Sequence, residues 1–481
     1  MNIRHLIWTA ILFTALWAKK TEASDEKDPK KPNILFIAID DMNDWTGFLG
    51  GHSQAVTPNM DHLADAGVNF TNAHCPAPGC APSRNAIMYG VEPYHSGLYP
   101  FYDHEIHQDL HERYVSLPRL FKENGYATYG VGKVHHGSKG NPIEWTGYNQ
   151  DIQGEKQFKE GAGYQVGNSW KHSFRPTVNP MEEHADYQRA SYGVKMLSRD
   201  HDRPFFLAVG FVKPHLPFDA PQRFFDALPD SIKPPAIKEN DLNDIGREGR
   251  SMCRRGDDRR FRRDNAWEDV RRAYLACISW TDYNVGRLLK ALKQSPHAHN
   301  TIVVLWSDHG FHLGEKHSFK KFTLWEEATR VPFIIRDMRD QHPEKGRQCD
   351  QPVSLIDIYR TLTDMTGLET PAYVDGNSLV PQLKEPSRLI EEPAVTTWGR
   401  GNIALRTDNW RYIKYYDGAE ELYWHEKDPY EWNNLIDDQG FIGRKLEMSK
   451  HLPESIAPLS NKDLVNRWSV YGADKEAFDK K

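Results

Sequence analysis

The sequence Asn33-Ile34-Leu35-Phe36-Ile37-Ala38-Ile39-Asp40-Asp41 joins an apolar run of strand length to two adjacent carboxylates. An apolar run of this length is typical of a central strand in a parallel sheet whose two faces are covered by helices. Two carboxylates at the end of such a strand repel each other unless a cation lies between them. Their oxygens suit Ca²⁺ or Mg²⁺, although the start of a solvated loop would also explain an Asp-Asp pair.

Two further apolar runs, at residues 205–211 and 301–306, also end in polar side chains. The first leads into Lys213-Pro214-His215-Leu216-Pro217 and the second into Ser307-Asp308-His309-Gly310. Two prolines fix the backbone around His215, so its imidazole is held in place, as a structural loop histidine would also be. The second run again places a carboxylate, here with an imidazole, at the end of a strand.

Helices and strands alternate along this part of the chain. The patterns predict helices at residues 57–66, 116–124 and 354–365, and further strands at residues 69–73, 127–131 and 331–335. Such alternation predicts a doubly wound α/β sheet, in which ligands bind beyond the carboxyl ends of the strands. The Asp40-Asp41 pair falls at that edge, and so do Lys133 and His136, which follow residues 127–131.

The stretch Pro78-Gly79-Cys80-Ala81-Pro82-Ser83-Arg84 precedes a run compatible with a helix at residues 85–89. This places Cys80 at or just before a helix N-terminus, where unpaired N–H groups and the helix dipole favour an anion. The guanidinium of Arg84 adds donors suited to a tetrahedral oxyanion. Taken alone, the stretch is more commonly explained by an ordinary buried or disulfide-bonded cysteine.

The length of 481 residues and the formal charge of −6 limit the classes of function. The chain is long enough for one large core and a smaller domain, and a mildly acidic balance gives no indication of nucleic-acid binding. After Pro371 the pattern changes to short strands at residues 394–397, 404–406 and 411–416, which predict an antiparallel sheet. We therefore divide the chain into a leader at residues 1–23, a main domain at 24–375 and a C-terminal domain at 376–481.

Residues 1–23 have the features of a secretory signal peptide. A short basic region at Arg4 and His5 precedes an apolar segment, residues 6–18, that is too short to span a bilayer as a mature helix. No later apolar run is long enough to cross a membrane, so we expect an exported protein, periplasmic or secreted. With Cys80 set aside, three disulfide pairings stay open among Cys75, Cys253, Cys277 and Cys349.

Two segments lack a clear periodic pattern. Residues 138–200 are polar and rich in glycine, and we interpret them as loop and insertion. Residues 247–263 contain eight arginines mixed with acidic residues and glycine. This composition is typical of a solvated, mobile loop, and a patch that grips a polyanionic substrate is the alternative. Asp264 is the predicted cap of a helix that extends to about Lys293 and turns an apolar face, including Cys277, to the core.

The order of these motifs resembles that of the type I sulfatases. Asp40-Asp41, Cys80-x-Pro-Ser-Arg84, Gly132-Lys133-x-x-His136, Lys213-Pro-His215-x-Pro217, Ser307-Asp-His-Gly310 and Lys321-x-Thr-x-x-Glu326 follow one another as they do in that family. Glu421-Leu-Tyr423 and Asp428-Pro-x-Glu-x-x-Asn434 extend the resemblance into the C-terminal part. The motifs around His215 and Asp308 are most similar to the iduronate-2-sulfatase branch, which includes many bacterial enzymes that act on polysaccharides.

The resemblance implies an alkaline-phosphatase-like α/β sandwich with a mostly parallel central sheet, plus a smaller C-terminal α+β domain with an antiparallel sheet. It also implies that a formylglycine-generating maturation enzyme oxidises Cys80, and that the hydrated gem-diol of the product attacks the sulfur of a sulfate ester. The side chains that it implies around one Ca²⁺ are Asp40, Asp41, Asp308, His309 and the modified Cys80. Imidazole is an uncommon ligand for this hard cation.

The remaining roles are carried over from the same resemblance. The cationic side chains expected to offset the charge on the sulfate oxygens are Arg84, Lys133 and Lys321. His215, beside Lys321, is the expected general acid for the departing sugar alkoxide. His136 is the expected base that deprotonates the second hydroxyl and so releases sulfate, with His135 as the neighbouring alternative.

We expect the substrate to be the sulfate ester of a carbohydrate, either a polysaccharide or an oligosaccharide. A phosphodiester or phosphonate monoester hydrolase of the same superfamily is the nearest alternative. A sulfated-glycan binder whose Cys80 stays a thiol is an alternative of another class, and a zinc alkaline phosphatase would use Ser or Thr at the nucleophile position. Six side chains are candidates for a substrate subsite, although we favour a structural role for each of them. They are His95, Tyr102, His104, Trp170, His184 and Arg400.

Overall fold

The structure is a computed structural model of the chain and describes residues 31–102, 106–137, 140–152, 173–340 and 345–479. The expected signal peptide at residues 1–23 lies outside the described residues. Two of the subsite candidates, His104 and Trp170, also lie outside them.

The strands follow one another along the chain with these bounds: β1 Asn33–Asp40, β2 Val68–Phe70, β3 Ala73–His74, β4 Ala127–Gly132, β5 Gly147–Asn149, β6 Phe174–Thr177, β7 Phe205–Pro214, β8 Phe218–Pro221, β9 Thr301–Ser307, β10 His312–Leu313, β11 Phe319–Lys320, β12 Phe333–Asp337, β13 Arg347–Cys349, β14 Val353–Ser354, β15 Ala394–Thr397, β16 Ile403–Arg406, β17 Trp410–Lys414 and β18 Glu420–Trp424.

The α-helices are α1 Pro58–Ala66, α2 Cys80–Tyr89, α3 Pro93–Ser96, α4 Ile106–Arg113, α5 Leu117–Glu123, α6 Ala185–Leu197, α7 Gln222–Asp226, α8 Arg247–Met252, α9 Arg255–Arg263, α10 Trp267–Gln294, α11 Glu326–Thr329, α12 Asp357–Thr366, α13 Val380–Lys384, α14 Ile442–Ser449 and α15 Lys475–Asp479. Short 3-10 helices lie at Met181–Glu183, Glu315–His317, Gln439–Phe441, Lys462–Leu464 and Arg467–Ser469.

The central sheet has eight strands in the order β13-β2-β12-β9-β1-β7-β4-β5. β1 pairs in parallel with β7 on one side and with β9 on the other, and β4 continues the parallel arrangement beside β7. The strand predicted at residues 331–335 is β12, which runs antiparallel to both of its neighbours. The sheet is therefore mostly parallel, as predicted, and the carboxyl ends of β1, β7, β9 and β4 lie at one edge.

Helices cover both faces of the central sheet. Leu35 and Ile37 of β1 pack into a core shared with α1, α6 and α10, whereas Ile34 and Phe36 pack into a second core shared with α2, α5 and α12. Successive residues of a strand point to opposite faces, so a strand with helices on both sides needs apolar residues at every position. This arrangement explains the unbroken apolar sequence of β1.

A second sheet lies in the C-terminal part of the chain. Strands β15, β16, β17 and β18 pair in sequence order, and every pair is antiparallel. Its apolar side packs with Met448 of α14. This sheet confirms the predicted antiparallel architecture, and the boundary between residues 375 and 376 stays a prediction.

The interpretation of residues 138–200 as loop and insertion is wrong in part, because β5, β6 and α6 lie within them. Helix α6 packs against α10 and β7, and its buried face includes Ala190, Gly193 and Leu197 at helical spacing. The same face buries the charged pair Asp186 and Arg189, whose nitrogen and oxygen lie 2.6 Å apart. Because small and charged residues lie on its buried face, this helix shows no clear hydrophobic periodicity in the sequence.

The interpretation of residues 247–263 as a mobile loop is also wrong, because they form α8 and α9. Phe261 anchors α9, since its buried ring packs against those of Trp267 and Phe319. The predicted capping role of Asp264 is wrong as well. Asp264 ends α9, and α10 begins at Trp267 after Ala266.

None of the five cysteines is disulfide-bonded, so the structure contains none of the three disulfide pairings left open by the sequence. Cys277 is buried in α10 within the core, as predicted. None of the helices in the described ranges combines the length and the apolar character that a bilayer crossing requires.

Candidate active site

The carboxylates of the first strand lie at the carboxyl end of β1. Asp40 is the last residue of β1, and Asp41 follows it with a φ of 63°. Aspartate tolerates this left-handed conformation better than most residues do. The turn lets the backbone N–H of Asp41 donate to Asp308 Oδ1 at 3.1 Å, because β1 and β9 are neighbouring parallel strands. Three carboxylates therefore meet at this edge of the sheet.

Cys80 is the first residue of α2, as predicted, and its side chain is buried. A Cβ atom on the preceding Gly79 would lie 2.9 Å from the Trp398 ring, so a larger residue there would displace an aromatic side chain. Ser83 Oγ donates to the backbone oxygen of Asp308 at 2.5 Å. The glycine and the serine of the motif thus hold Cys80 against the carboxylates.

Arg84 is fully buried, and its guanidinium bonds to protein acceptors. Its Nε donates to Asp308 Oδ2 at 2.7 Å, and its Nη2 donates to the backbone oxygen of Ile39 at 3.1 Å. Its Nη1 donates to the backbone oxygens of Lys133 and Val134. Arg84 therefore joins the ends of β1, β4 and β9 and orients the Asp308 carboxylate.

Four side chains with metal-binding atoms, one of them Cys80, converge at this edge of the sheet. Ligand atoms of Asp40, Asp41, Cys80 and His309 lie within 4.8 Å of one another. Within the described part of the chain, the buried Asp40 Oδ1 accepts no hydrogen bond, and Arg84 Nη2 lies 3.7 Å from it. A buried carboxylate oxygen without a hydrogen bond is costly unless a cation binds it. Asp308 Oδ1 lies 3.5 Å from His309 Nε2 and extends the set of oxygens. This donor set fits a hard divalent cation, and His309 is its one nitrogen ligand.

Two lysines offset the charge of the carboxylates. Lys133 Nζ lies 2.5 Å from Asp40 Oδ2, and Lys321 Nζ lies 2.5 Å from Asp41 Oδ1 and 2.9 Å from Cys80 Sγ. Burial alone would raise the pKa of Asp40, but the positive groups around it, Lys133 above all, hold that pKa well below its usual range. Burial would lower the pKa of Lys321, but the Asp41 carboxylate raises it instead. Both partners therefore stay charged.

The environment of Cys80 disfavours its thiolate. Burial, and then the Asp40 carboxylate, raise the pKa of the Cys80 thiol, and these effects outweigh those of Lys133 and Lys321. The thiolate is the nucleophilic form of cysteine, so unmodified Cys80 is a poor nucleophile at neutral pH. The geometry places a protonated sulfur where a cysteine hydrolase would need a thiolate.

His215 lies at the mouth of the site, just after β7. Its side chain is 24% exposed, and its Nε2 lies 3.9 Å from Asp41 Oδ2. Its Nδ1 lies 2.6 Å from the backbone oxygen of Leu216, which fixes the orientation of the ring. Burial lowers the pKa of His215, and the Asp41 and Asp40 carboxylates oppose that effect. The imidazole thus faces both solvent and the carboxylates.

The two adjacent histidines after β4 have different surroundings. His135 Nε2 lies 3.0 Å from Glu144 Oε1, and both side chains are buried. The ring of His136 packs edge-on against Phe101 at 5.0 Å. Burial, and then the Lys133 ammonium, hold the pKa of His136 well below its usual value, against the effect of Asp40. The pKa of His136 therefore depends on the charges of the site, whereas His135 is hydrogen-bonded to Glu144.

The four subsite candidates that the structure describes all have protein partners, which agrees with the structural role favoured for them. These partners are Asp375 for His95, Ser460 for Tyr102, Thr177 for His184 and Asp474 for Arg400.

Two residues that support the site did not stand out in the sequence. Tyr274 OH donates to the backbone oxygen of Asp41 at 2.7 Å and accepts from the backbone N–H of Asn43 at 2.9 Å. Tyr274 belongs to the apolar face of α10, so its spacing indicated a core position and nothing more. Ser307 Oγ accepts from the backbone N–H of Met42 at 3.0 Å, and its place beside Asp308 was the available signal.

Glu326, His425 and Glu431 form a second group with metal-ligand spacing. Arg411 pairs with both glutamates, and Arg406 pairs with Glu326. Two carboxylates matched by two guanidinium groups are already neutral. We therefore assign this group as an ion-pair network that joins α11 to the C-terminal sheet.

Comparisons with known proteins agree with the fold and the motifs. A family model described as Sulfatase matches residues 32–368, and one described as N-sulphoglucosamine sulphohydrolase, C-terminal, matches residues 314–458. A sulfatase of Formosa agariphila is 37% identical over 454 residues, which cover 90% of this chain and 88% of the relative. The iduronate 2-sulfatase of Mus musculus is 30% identical over 421 residues, which cover 76% of this chain and 74% of the relative.

A similar architecture occurs in a solved structure of a protein in complex with its substrate, D-glucosamine-2-N,6-O-disulfate. The TM-score is 0.68 at 21% identity, over 88% of this chain and 96% of that chain. This likeness supports the fold, since one fold hosts many chemistries, and the sequence matches carry the argument on activity. Because the Sulfatase family model spans most of the chain, the protein belongs to the type I sulfatase family and is a sulfuric ester hydrolase.

Proposed function

We propose that the protein removes sulfate from a sulfated polysaccharide or oligosaccharide by means of a formylglycine made from Cys80 and a bound Ca²⁺. The observation that carries the proposal is the position of Cys80 Sγ, 2.9 Å from Lys321 Nζ and 3.3 Å from His309 Nε2. Charged groups surround this side chain, as they would surround a reacting group. Burial and the Asp40 carboxylate nevertheless keep its thiol protonated. The neighbour bound to a glucosamine disulfate supports a carbohydrate substrate.

Conversion of Cys80 would supply an aldehyde hydrate, one hydroxyl of which attacks sulfur while the other later releases sulfate. A Ca²⁺ held by Asp40, Asp41, Asp308 and His309 would supply positive charge beside the sulfate oxygens. The buried Asp40 Oδ1, which accepts no hydrogen bond from the described residues, is the feature of this chain that supports a cation there.

Lys133 and Lys321 bind and orient the sulfate group in this proposal. Each ammonium carries a full charge next to a carboxylate, and such preorganised charges stabilise the negative charge of a transition state. Arg84 has a different role, because its donors are occupied by Asp308 and by backbone oxygens. It positions the Asp308 carboxylate and adds positive charge behind it.

His215 supplies the proton that the departing sugar alkoxide needs. Its ring is partly exposed at the mouth of the site, where the leaving group departs. A sulfate anion that enters the site adds negative charge, and nearby negative charge favours the protonated imidazole. Lys321 is the neighbouring group that carries a proton, but the raised pKa of its ammonium makes it a weaker acid than His215.

His136 takes the proton whose removal releases sulfate. Its lowered pKa keeps the imidazole neutral at neutral pH, which a general base requires. His135 lacks this freedom, because its Nε2 is engaged with Glu144. We propose in addition that the chain is exported, as the expected leader indicates, and that it needs a formylglycine-generating enzyme as a maturation partner.

The test is a mass spectrum of the peptide containing Cys80, combined with an assay for released sulfate. Conversion of the thiol to an aldehyde lowers the peptide mass by about 18 Da. We expect this shift in protein made with a maturation enzyme, together with sulfate release from sulfated sugars. Cys80→Ala is the control and should show neither.

The alternatives appear as distinct outcomes of the same test. Faster cleavage of matched phosphate or phosphonate esters than of sulfate esters would assign the site to that reaction instead. An unshifted peptide, in protein that still binds sulfated glycans, would leave the glycan-binding alternative. A shifted peptide with sulfate release from aryl sulfates alone would refute the carbohydrate substrate.

A further inference from the structure

Among the described residues, Trp468 is the only tryptophan whose side chain is exposed, and its exposed fraction is 59%. It lies in the 3-10 helix Arg467–Ser469, and residues on both sides of it are hydrogen-bonded to the backbone of Phe101. The N–H of Asn466 donates to the backbone oxygen of Phe101, and the N–H of Phe101 donates to Ser469 Oγ, both at 2.9 Å. A large apolar ring is therefore held in solvent by a fixed backbone.

The indole of Trp468 lies at the edge of an aromatic cluster that contains the reacting residue. Its ring is 5.0 Å from that of Phe101 and 6.1 Å from that of Phe322. Both phenylalanines pack in one apolar cluster with Cys80. Lys321 Nζ lies 5.8 Å from the centre of the Phe322 ring. One layer of rings thus separates the exposed indole from the reacting groups.

Arg254 flanks the same cluster. Its guanidinium lies over the Phe322 ring at 5.2 Å, and its Nη2 lies 3.2 Å from Tyr471 OH. The backbone N–H of Arg254 donates to Ser318 Oγ at 3.0 Å, so the residue is fixed at both ends. Among the described residues, no carboxylate lies within ion-pair distance of this guanidinium, and its remaining donors suit an anion.

We propose that Trp468 and Arg254 form a subsite for the sugar residue next to the one that loses its sulfate. The apolar face of a pyranose ring packs on the indole, and Arg254 binds a sulfate or carboxylate group of that sugar. This inference rests on the proposed carbohydrate sulfatase function and makes it narrower. The substrate is an oligosaccharide or polysaccharide with a second anionic group, rather than a sulfated monosaccharide.

The exposure of Trp468 argues against a packing role alone. A tryptophan retained only for packing is normally buried, and ligand sites are commonly lined by aromatic side chains with a few placed polar groups. Aromatic faces carry partial negative charge, which suits the C–H groups of a sugar ring. The fixed backbone also reduces the entropy that binding would cost.

The first test measures binding to a Cys80→Ala protein, which cannot turn the ligand over. The probes are tetrasaccharides from ulvan and from heparin and the matching sulfated monosaccharides, titrated by calorimetry. We expect Trp468→Ala to weaken tetrasaccharide binding by about tenfold or more and monosaccharide binding by less than about twofold. Trp468→Phe should recover part of the loss. Tyr430→Ala is the matched control, since Tyr430 is 45% exposed and stacks on Trp432.

The second test concerns Arg254. Arg254→Gln should weaken the binding of tetrasaccharides that carry a second anionic group. The affinity for their singly charged counterparts should change by less than about twofold, and the affinity of the variant should depend less on salt concentration. Arg203→Gln is the control, because Arg203 is exposed and pairs with Asp202 on a distant loop.

Several outcomes would overturn the subsite. These are equal losses for tetrasaccharides and monosaccharides, no loss in Trp468→Ala, and no tetrasaccharide bound more tightly than its monosaccharide. The mature enzyme separates this result from a failure of the proposed function. If the mature Trp468→Ala enzyme releases sulfate from every oligosaccharide as fast as the unmodified enzyme does, the subsite alone is refuted. If binding depends on Trp468 but the mature enzyme releases no sulfate, the proposed function alone is refuted.

Discussion

Lys321 Nζ lies 2.9 Å from Cys80 Sγ, although 241 positions separate the two residues in sequence. The same ammonium lies 2.5 Å from Asp41 Oδ1, so it contacts both the Cys80 side chain and a carboxylate of the predicted metal site. Burial alone would lower the pKa of Lys321, and the Asp41 carboxylate raises it. A positive charge thus lies beside the side chain that, in the proposed mechanism, is converted to the nucleophile.

Lys321→Met should lower kcat/KM for a sulfate ester by about 100-fold to 1,000-fold, because it removes one preorganised charge from the transition state. The matched control is Lys427→Met, since Lys427 is 64% exposed and pairs with Glu426 at the surface. Steady-state kinetics on protein with verified conversion of Cys80 measures the difference. Similar kcat/KM values for the two variants would contradict a role for Lys321 in catalysis.

The predicted cation should stabilise the folded protein. A cation that binds the native state adds about 2.7 kcal/mol at 100 times its dissociation constant, so Ca²⁺ should raise Tm by several degrees and a chelator should abolish activity. Asp40→Asn should remove the response of Tm to Ca²⁺, since Asp40 Oδ1 is a buried carboxylate oxygen of the proposed site that accepts no hydrogen bond from the described residues. Asp202→Asn, at an exposed loop position, is the control. A response to Ca²⁺ that Asp40→Asn retains would argue that the ion binds elsewhere.

The central sheet was predictable because its strands need apolar residues on both faces. The run that became β1 carried this signal at each position from Ile34 to Ile39, and the two carboxylates after it marked the functional edge. The family resemblance carried by the motif order then implied that Cys80 and Asp308 lie at the same edge, and in the structure both contact Asp41. Local sequence sufficed here because strand ends in a parallel sheet share one edge.

The features that were missed depend on tertiary contacts. Helix α6 buries Asp186 against Arg189 and Gly193 against the core, so its hydrophobic period is weak. The arginine-rich segment folds as α9 because one residue, Phe261, packs into an aromatic cluster. Trp468 lies far from the motifs in sequence, and its place beside Phe322 follows from the path of the C-terminal segment. Such contacts leave no local pattern.

The role of His215 can be separated from that of Lys321 by the leaving group. A general acid matters most when the leaving group is a poor one, such as a sugar alkoxide. His215→Asn should therefore lower kcat/KM for a sugar sulfate by about 100-fold or more and for 4-nitrophenyl sulfate by much less. Equal losses on both substrates would exclude proton donation by His215 and leave Lys321 as the proton carrier.

The pH profile should report His136. A base must be unprotonated, and burial together with Lys133 holds the pKa of His136 well below 6.5. Activity should therefore persist below pH 6.5 and be lost only as the pH falls through the lowered pKa of His136. His136→Asn should lower kcat and remove this acid limb. The neighbouring variant His135→Gln is the control, because His135 faces Glu144, and it should keep the limb unchanged. Loss of the limb in His135→Gln alone would transfer the role to His135.

The ion-pair network around Arg411 should stabilise the contact between the C-terminal sheet and the loop that carries Lys321. Arg411 is fully buried, pairs with Glu326 and Glu431, and donates to the backbone oxygen of Leu324 at 2.9 Å. Arg411→Leu leaves two buried carboxylates without this partner, and removal of one member of a buried pair costs about 3–5 kcal/mol.

The urea midpoint of Arg411→Leu should therefore fall clearly. Arg444→Leu is the matched control, because Arg444 is 36% exposed and its pair with Glu447 spans three residues of α14. Such surface pairs contribute about 0–1 kcal/mol, so the midpoint of this control should stay close to that of the unmodified protein. If both variants unfolded at the same urea concentration, Arg411 would contribute no more than a surface arginine. The attachment of the C-terminal sheet would then have to rest on its apolar contacts with Phe322, Leu324 and Trp325.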